Sequence, residues 1–221
     1  MRSRDDFAAH GSGVRLKSRK GIERRAELRE AAQRAIAAHG ANVQLNQVAR
    51  EAGLTSGAVL YHYPDVSELL LDAQRAGMER FYDARLAAIE GIGDPVERLI
   101  ITISSGLPDG ADDPDVRLLC ELGGAAARNA VYGALLTTLF DRQVAMYQVI
   151  LEAGAARGLF TLALDSVVIA RNLVALEDAY GYRIMARHPS IDRDSAIELI
   201  LSYARLATDH PLPRPASRTE A

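Results

Sequence analysis

The sequence predicts an all-α protein of about nine helices, and three observations carry that prediction. Apolar and alanine residues recur three and four positions apart along most of the chain. Glycine, proline, aspartate and asparagine punctuate those runs at the positions where helices start and stop. No stretch alternates apolar and polar residues convincingly, as a half-buried strand would.

Taken in order, residues 1–18 are polar, glycine-spotted and basic, and read as a flexible arm. From about Ile22 to His39 the spacing of Ala26, Ala32, Ala35 and Ile36 predicts a helix, stopped by Gly40. Two short helices are expected within residues 44–63. A long amphipathic helix follows from Val66 to about Glu90, with Leu69, Leu70, Ala73, Met78, Phe81, Ala84 and Leu86 on its stripe. Gly91, Gly93 and Pro95 end it and start another that runs to about Gly106. The segment LPDGADDPD reads as a solvated acidic loop. Its aspartates 109, 112, 113 and 115 lack the glycine and distal glutamate of a calcium loop at the required spacing. Asp113 or Asp115 caps the next helix, to about Ala127. Asn129 to about Arg157 is the longest helical pattern, closed by Gly158. Asp165 caps a helix to about Arg187, and Asp192 or Asp194 caps a last one to about Thr208. Residues 210–221, with prolines at 211, 213 and 215, read as a disordered tail.

The chain has 221 residues and a mass of 23.9 kDa, and is 48% hydrophobic and 25% charged, enough apolar material for a core. Disorder over the whole length is excluded, and so is a disulfide scaffold, because Cys120 is the only cysteine. No run approaches the roughly 20 apolar residues that span a bilayer, and the first residues lack a signal-peptide core, so the cytoplasm is the expected compartment. The net charge of −3 conceals an asymmetry. Residues 1–63 hold 11 basic and 6 acidic side chains, a charge of +5, while the remainder holds 15 against 23, a charge of −8. An acidic body with a basic head suggests that only the head meets a polyanion.

The expected pair of short helices carries the most specific signal. Leu45, Val48, Ala49 and Ala52 share one face of the first, and Gly53 supplies the left-handed turn that ends it. Leu54 returns to the core, and Thr55 or Ser56 caps the second helix, expected over Thr55–His62. Small Ala49 lets the two helices cross closely. That is a helix-turn-helix arrangement, whose second helix enters a DNA major groove. Its exposed side chains would be Ser56, Ala58, Tyr61 and His62, with Gly57 allowing close backbone approach. Arg15, Lys17, Arg19, Lys20, Arg24 and Arg25 precede it as candidate phosphate or minor-groove contacts.

Residues 24–74, above all VAREAGLTSGAVLYHYPDVSELLLDA, resemble the N-terminal DNA-binding domain of the TetR family of bacterial repressors. Val48-Ala49, Ala52-Gly53-Leu54, Gly57, Tyr61-His62-Tyr63-Pro64 and Glu68-Leu69-Leu70 fall at the family spacing. A weaker similarity runs through residues 152–160 and 175–196. The sequence departs from the family at Leu60, where an aromatic residue is usual, at Val66, where a lysine is frequent, and at Gln44, where a threonine often caps. The expected DNA-facing set is Arg19, Lys20, Gln44, Asn46, Thr55, Ser56, Gly57, Ala58, Tyr61 and His62. The resemblance also implies a homodimer built from the last two helices of each chain.

Catalytic signatures are missing: there is no P-loop, no GxSxG and no HExxH, and the five histidines lack metal-ligand spacing. Neither an enzyme nor a cofactor or metal is expected, and Cys120 reads as a buried structural thiol. The middle helices should enclose a cavity, with Met78, Phe81, Tyr82, Ile103, Leu119, Tyr132, Phe140, Tyr147, Leu173 and Glu177 as candidate lining. Glu177 must reach solvent or find a partner, and facing inward it could recognise a cation or a hydroxyl. The final helix carries two apolar faces, one with Ile197, Ile200, Leu201 and Ala204, the other with Leu199, Tyr203 and Leu206. One face serves the core and the other needs a partner, and the sequence leaves open which; the expected dimer set is the first, with Leu176, Tyr180 and Ile184.

These observations lead to an expected organisation. Residues 19–65 form a helix-turn-helix DNA-binding domain, and residues 66–209 a helical ligand-binding and dimerisation domain. The expected function is a DNA-binding regulator, a repressor released from a pseudo-palindromic double-stranded operator by a small-molecule effector, with no membrane partner. The alternative is a helical small-molecule-binding protein or enzyme with a vestigial helix-turn-helix.

Overall fold

In the computed structural model the described residues are 6–40 and 42–214, with side chains from Lys20 onward. Among them there are nine α-helices and no strand. They are α1 (Asp6–His39), α2 (Leu45–Glu51), α3 (Ser56–His62), α4 (Val66–Ala88), α5 (Pro95–Ser105), α6 (Pro114–Ala126), α7 (Ala130–Ala156), α8 (Ser166–Met185) and α9 (Arg193–Thr208). None of them is long and apolar enough to cross a membrane.

The expected helix boundaries hold where capping is local. Asp113 Oδ1 accepts the Asp115 and Val116 amides at 3.0 and 3.1 Å, so Asp113 rather than Asp115 caps α6. Asn129 Oδ1 accepts the Val131 amide at 3.0 Å, and Asp192 Oδ1 accepts that of Ser195 at 2.8 Å. Asp165 occupies the N-cap position of α8, but its side chain makes no capping bond. The acidic loop is tied down by arginines, with Asp112 paired to Arg187 at 2.9 Å and Asp115 to Arg80 at 2.7 Å.

Three boundaries differ from expectation. Helix α1 begins at Asp6 rather than Ile22, since glycine weakens a helix by about 1 kcal/mol without ending it and no proline intervenes. Of the expected arm, residues 1–5 and the side chains of residues 6–18 lie outside the described residues. At the other end, His210–Arg214 is held in place. Leu212 is buried, its carbonyl accepts Arg205 Nε at 2.9 Å, and the His210 ring meets Phe160 edge-on at 5.7 Å. Residues 215–221 lie outside the described set. The chain divides into two compact units, residues 1–77 and 78–221, so the division falls inside α4 and not before it. The first turns of α4 belong to the N-terminal unit because Leu69, Leu70 and Ala73 are buried and the Ala73 carbonyl accepts Gln33 Nε2 at 2.7 Å.

The N-terminal unit is α1, α2, α3 and the start of α4, with Leu28, Ala31, Ala32, Ala35, Ile36, Val48, Ala49, Val59 and Tyr63 buried. The C-terminal unit holds the rest of α4 and α5–α9 around a core that includes Leu99, Ile103, Tyr147, Ile150, Ile169, Leu173, Ile197, Ile200, Leu201 and Ala204.

Candidate functional site

In the N-terminal unit the connection between α2 and α3 is a tight left-handed turn. Gly53 has φ +64°, a conformation that side-chain-bearing residues avoid, and the Leu54 amide closes onto the Ala49 carbonyl at 2.9 Å. Helix α3 starts at Ser56, with Thr55 as its cap: Thr55 Oγ1 accepts the Ala58 amide at 3.2 Å. Gln44 precedes α2, and its backbone amide donates to Gln47 Oε1 at 2.6 Å. The Gln44 side-chain amide turns away to the Asn42 carbonyl.

Helix α3 is anchored on one side and open on the other. Val59 and Tyr63, four residues apart, are fully buried. Tyr63 Oη donates to Asp72 Oδ2 at 3.2 Å, and Arg25 lies over the Tyr63 ring at 4.2 Å while pairing with Glu68 at 3.1 Å. The opposite stripe, Gly57, Leu60 and Tyr61, is exposed, with Tyr61 at 83% of its full accessibility. His62 is half-buried and meets the Tyr61 ring edge-on at 5.0 Å. Gln44, Asn46, Thr55 and Lys20 are exposed, whereas Ser56 and Ala58 are half-buried; the Arg19 side chain lies outside the described residues. Arg24 pairs with Glu27 at 2.6 Å and Arg25 with Glu68, so neither guanidinium stands as free as the sequence suggests.

The C-terminal unit contains a cavity of about 600 Å3, within the range of small-molecule sites. Of the ten expected lining residues, Phe81, Leu119, Phe140 and Glu177 line it. Ile103, Leu173 and Tyr147 are fully buried in the core instead. Met78 packs with Leu122 and Leu139, Tyr132 covers that cluster, and Tyr82 lies beneath Arg142 at 3.8 Å. Cys120, expected in the core, faces the cavity half-exposed. Burial pushes its thiol up, with Glu121 and Asp178 adding to the shift, so it stays protonated and un-nucleophilic.

Beneath the cavity lies a buried ion pair that the sequence half revealed. Glu177 is 2% exposed, and Arg85, on α4, is 1% exposed. The guanidinium grips the carboxylate with both ends, Nη2 to Oε1 at 2.8 Å and Nη1 to Oε2 at 3.0 Å. Arg85 Nη2 also donates to the Thr102 carbonyl at 3.0 Å, and Nη1 to Gln143 Oε1; Tyr147 Oη donates to Glu177 Oε1. Burial opposes the Arg85 charge, but Glu177 and Tyr147 more than offset it and hold the guanidinium above its ordinary value. Burial pushes the Glu177 carboxyl up, against the pull of Arg85 and Tyr147. Gly106 makes room for this pair, since a Cβ there would overlap the Glu177 carboxylate. The missed signal was Arg85 itself, four residues after Phe81 and seven after Met78 on the apolar stripe, where a charge demands a partner.

Asp178, next along α8, is the second carboxylate of the cavity and was also missed. Its side chain is exposed where it borders the cavity, and the neighbouring protein still pushes its carboxyl up, against the field of Arg85. A raised carboxyl binds its proton more readily in the folded chain than in the unfolded one. Stability therefore falls as the pH rises through the folded-state value. Asp178→Asn is expected to be more stable than the native chain at neutral pH, with the advantage vanishing in acid, where Asp178 is protonated in both states. Thermal melts across pH check this, and an advantage independent of pH contradicts it.

The expected dimer residues Ile197, Ile200, Leu201 and Ala204 are consumed by the core of the unit itself, as is Ile184, while Leu176 and Tyr180 are half-buried against that core. Packing against α8 and α5 takes that face of α9 inward. It leaves Leu199 and Leu206 outside, Leu206 at 79% of its full accessibility.

No family model and no curated protein matches the sequence. Solved structures do match. A protein described as a transcriptional regulator from Saccharomonospora viridis, in complex with choline, is similar at TM-score 0.76 and 24% identity, over 83% of this chain and 96% of that one. A TetR transcription regulator from Haloarcula marismortui is similar at TM-score 0.75 and 23% identity, over 85% and 99%. The regulator FadR from Bacillus subtilis, in complex with stearoyl-CoA, is similar at TM-score 0.65 and 18% identity, over 83% and 97%. With its head of three short-linked helices and its helical C-terminal unit, the chain has the fold of the TetR transcription regulators.

Proposed function

We propose that the chain is a ligand-responsive, DNA-binding transcriptional regulator that acts as a repressor. The observation that carries this reading is helix α3, held to its unit through buried Val59 and Tyr63 while Gly57, Leu60 and Tyr61 face outward from a glycine-closed helix-turn-helix. Tyr61 and His62 offer a hydroxyl and an imidazole to base edges, Ala58 a methyl surface for thymine, and Gln44, Thr55 and Lys20 contacts to phosphate. Similar folds that hold choline or stearoyl-CoA support a small-molecule effector, and the cavity of the C-terminal unit is the place for it. The effector acts by binding one conformation better than the other and so shifting the population away from the DNA-bound one. Selection of duplexes from a random library tests the reading. A pseudo-palindrome with half-sites about 34 Å apart is expected, and absence of any enriched sequence contradicts it.

Two-fold half-sites require a dimer. On the outer side of α8 and α9, Asn172 Nδ2 donates to Tyr203 Oη at 2.8 Å, which puts Val168, Leu199 and Leu206 on one surface around that bond. This face, of the two the sequence leaves open, is the proposed dimer contact. Light scattering is expected to give about twice 23.9 kDa for the native chain and a folded monomer for Leu206→Glu. A native monomer at micromolar concentration contradicts this.

A further inference from the structure

The cavity's charge inventory is one-sided. None of its lining residues is a lysine, an arginine or a histidine, and two of them, Glu177 and Asp178, are carboxylates. Glu177 is matched end to end by Arg85, which leaves that guanidinium no face for a further anion. Asp178 makes no hydrogen bond and no salt bridge among the described residues. The thiol of Cys120, on the same wall, is pushed up by burial and by the nearby carboxylates Glu121 and Asp178. The rest of the lining is apolar at Leu119, Leu136 and Phe140, and Phe140 and Tyr182 add aromatic rings, which attract cations; the Phe81 ring already has the Arg85 guanidinium over it at 5.7 Å.

Asp178 presents its carboxylate to the cavity without a hydrogen bond or ion pair among the described residues, and a bound cation gains an attraction there that a neutral molecule does not. A carboxylate or phosphate ligand would bring a second negative charge to a wall without a cation. Resting on the reading of this cavity as the effector site, we infer that its ligand class is an amphipathic organic cation. An alkylammonium head pairs with Asp178, the apolar body lies against Leu119, Leu136 and Phe140, and lipophilic anions of the same size are rejected. Sharing a fold with a regulator that holds an acyl-CoA thus does not extend to sharing its ligand class.

Three probes of equal chain length separate charge from apolar burial: octyltrimethylammonium, octan-1-ol and octanoate, titrated calorimetrically into the full chain below their aggregation thresholds. Octyltrimethylammonium is expected to bind at least about tenfold more tightly than octanoate, with octanol between them. Asp178→Asn is expected to erase that ratio, and Asp178→Lys to invert it. Equal affinity for the cation and octanoate overturns the inference, as does a ratio unchanged in Asp178→Asn or no binding of any probe. A cation that binds in the Asp178-dependent way yet leaves a selected operator duplex bound overturns the effector reading alone and leaves the charge class standing.

Discussion

Glu177→Ala, with Arg85 left in place, is expected to destabilise the C-terminal unit by about 3–5 kcal/mol. The reason is the orphaned guanidinium rather than the lost attraction. Arg85 is 1% exposed, and its two carboxylate bonds disappear together, leaving only the Thr102 carbonyl, Gln143 and the Tyr147 hydroxyl as partners. Tyr147 would lose its acceptor at the same time. Replacing both members, Arg85→Met with Glu177→Leu, removes both charges and fills the space with apolar side chains of similar size. The double variant is therefore expected to recover most of the loss. Denaturant unfolding of the three chains checks this. A double variant as unstable as the single one, or a single variant within about 1 kcal/mol of the native chain, contradicts the account of the pair.

Tyr61→Ala and His62→Ala are each expected to weaken binding to a selected operator by about 1–3 kcal/mol, with the dimer intact. Tyr61 is 83% exposed on a helix whose far side is fixed by Val59 and Tyr63, so its truncation is expected to remove the proposed DNA contact without disturbing the fold. Lys20→Ala is a useful contrast: loss of a phosphate contact weakens specific and nonspecific binding alike and flattens the salt dependence by about 0.9 per contact. Unchanged operator affinity in both the Tyr61 and His62 variants, measured by fluorescence anisotropy, contradicts the placement of the recognition helix.

The head was legible because its determinants are local. Val48, Ala49, Gly53, Thr55 and Val59 lie within a dozen residues of one another, and each acts on its neighbours through a turn, a cap or an i, i+4 contact. The helix ends at Gly40 and Asn129 were legible for the same reason, and those at Asp113 and Asp192 as one of two neighbouring aspartates each. The interior of the C-terminal unit was not. Arg85 and Glu177 are 92 residues apart, and Arg85 and Gln143 are 58 apart, so no local pattern pairs them. Sequence reasoning found Glu177 as a carboxylate in need of a partner but could not supply Arg85. Nor could it tell which stripe of α9 goes inward. Ile197, Ile200, Leu201 and Ala204 match Leu199, Tyr203 and Leu206 in apolar character, and the choice between them is made by α8 and α5. Tyr147 and Leu173 look like lining for a similar reason. Large apolar side chains on middle helices fill a core or border a cavity according to how those helices pack.

The most direct test of the central claim, sequence-specific DNA binding through α3, is the ratio of affinities for a selected pseudo-palindrome and a scrambled duplex of the same composition, at one physiological salt concentration. The account predicts that the native chain prefers the palindrome by about 10³-fold or more, within the range of specific DNA-binding proteins, and that Tyr61→Ala lowers this ratio. A ratio near one for the native chain would show that only its basic charge meets DNA, and would contradict the account.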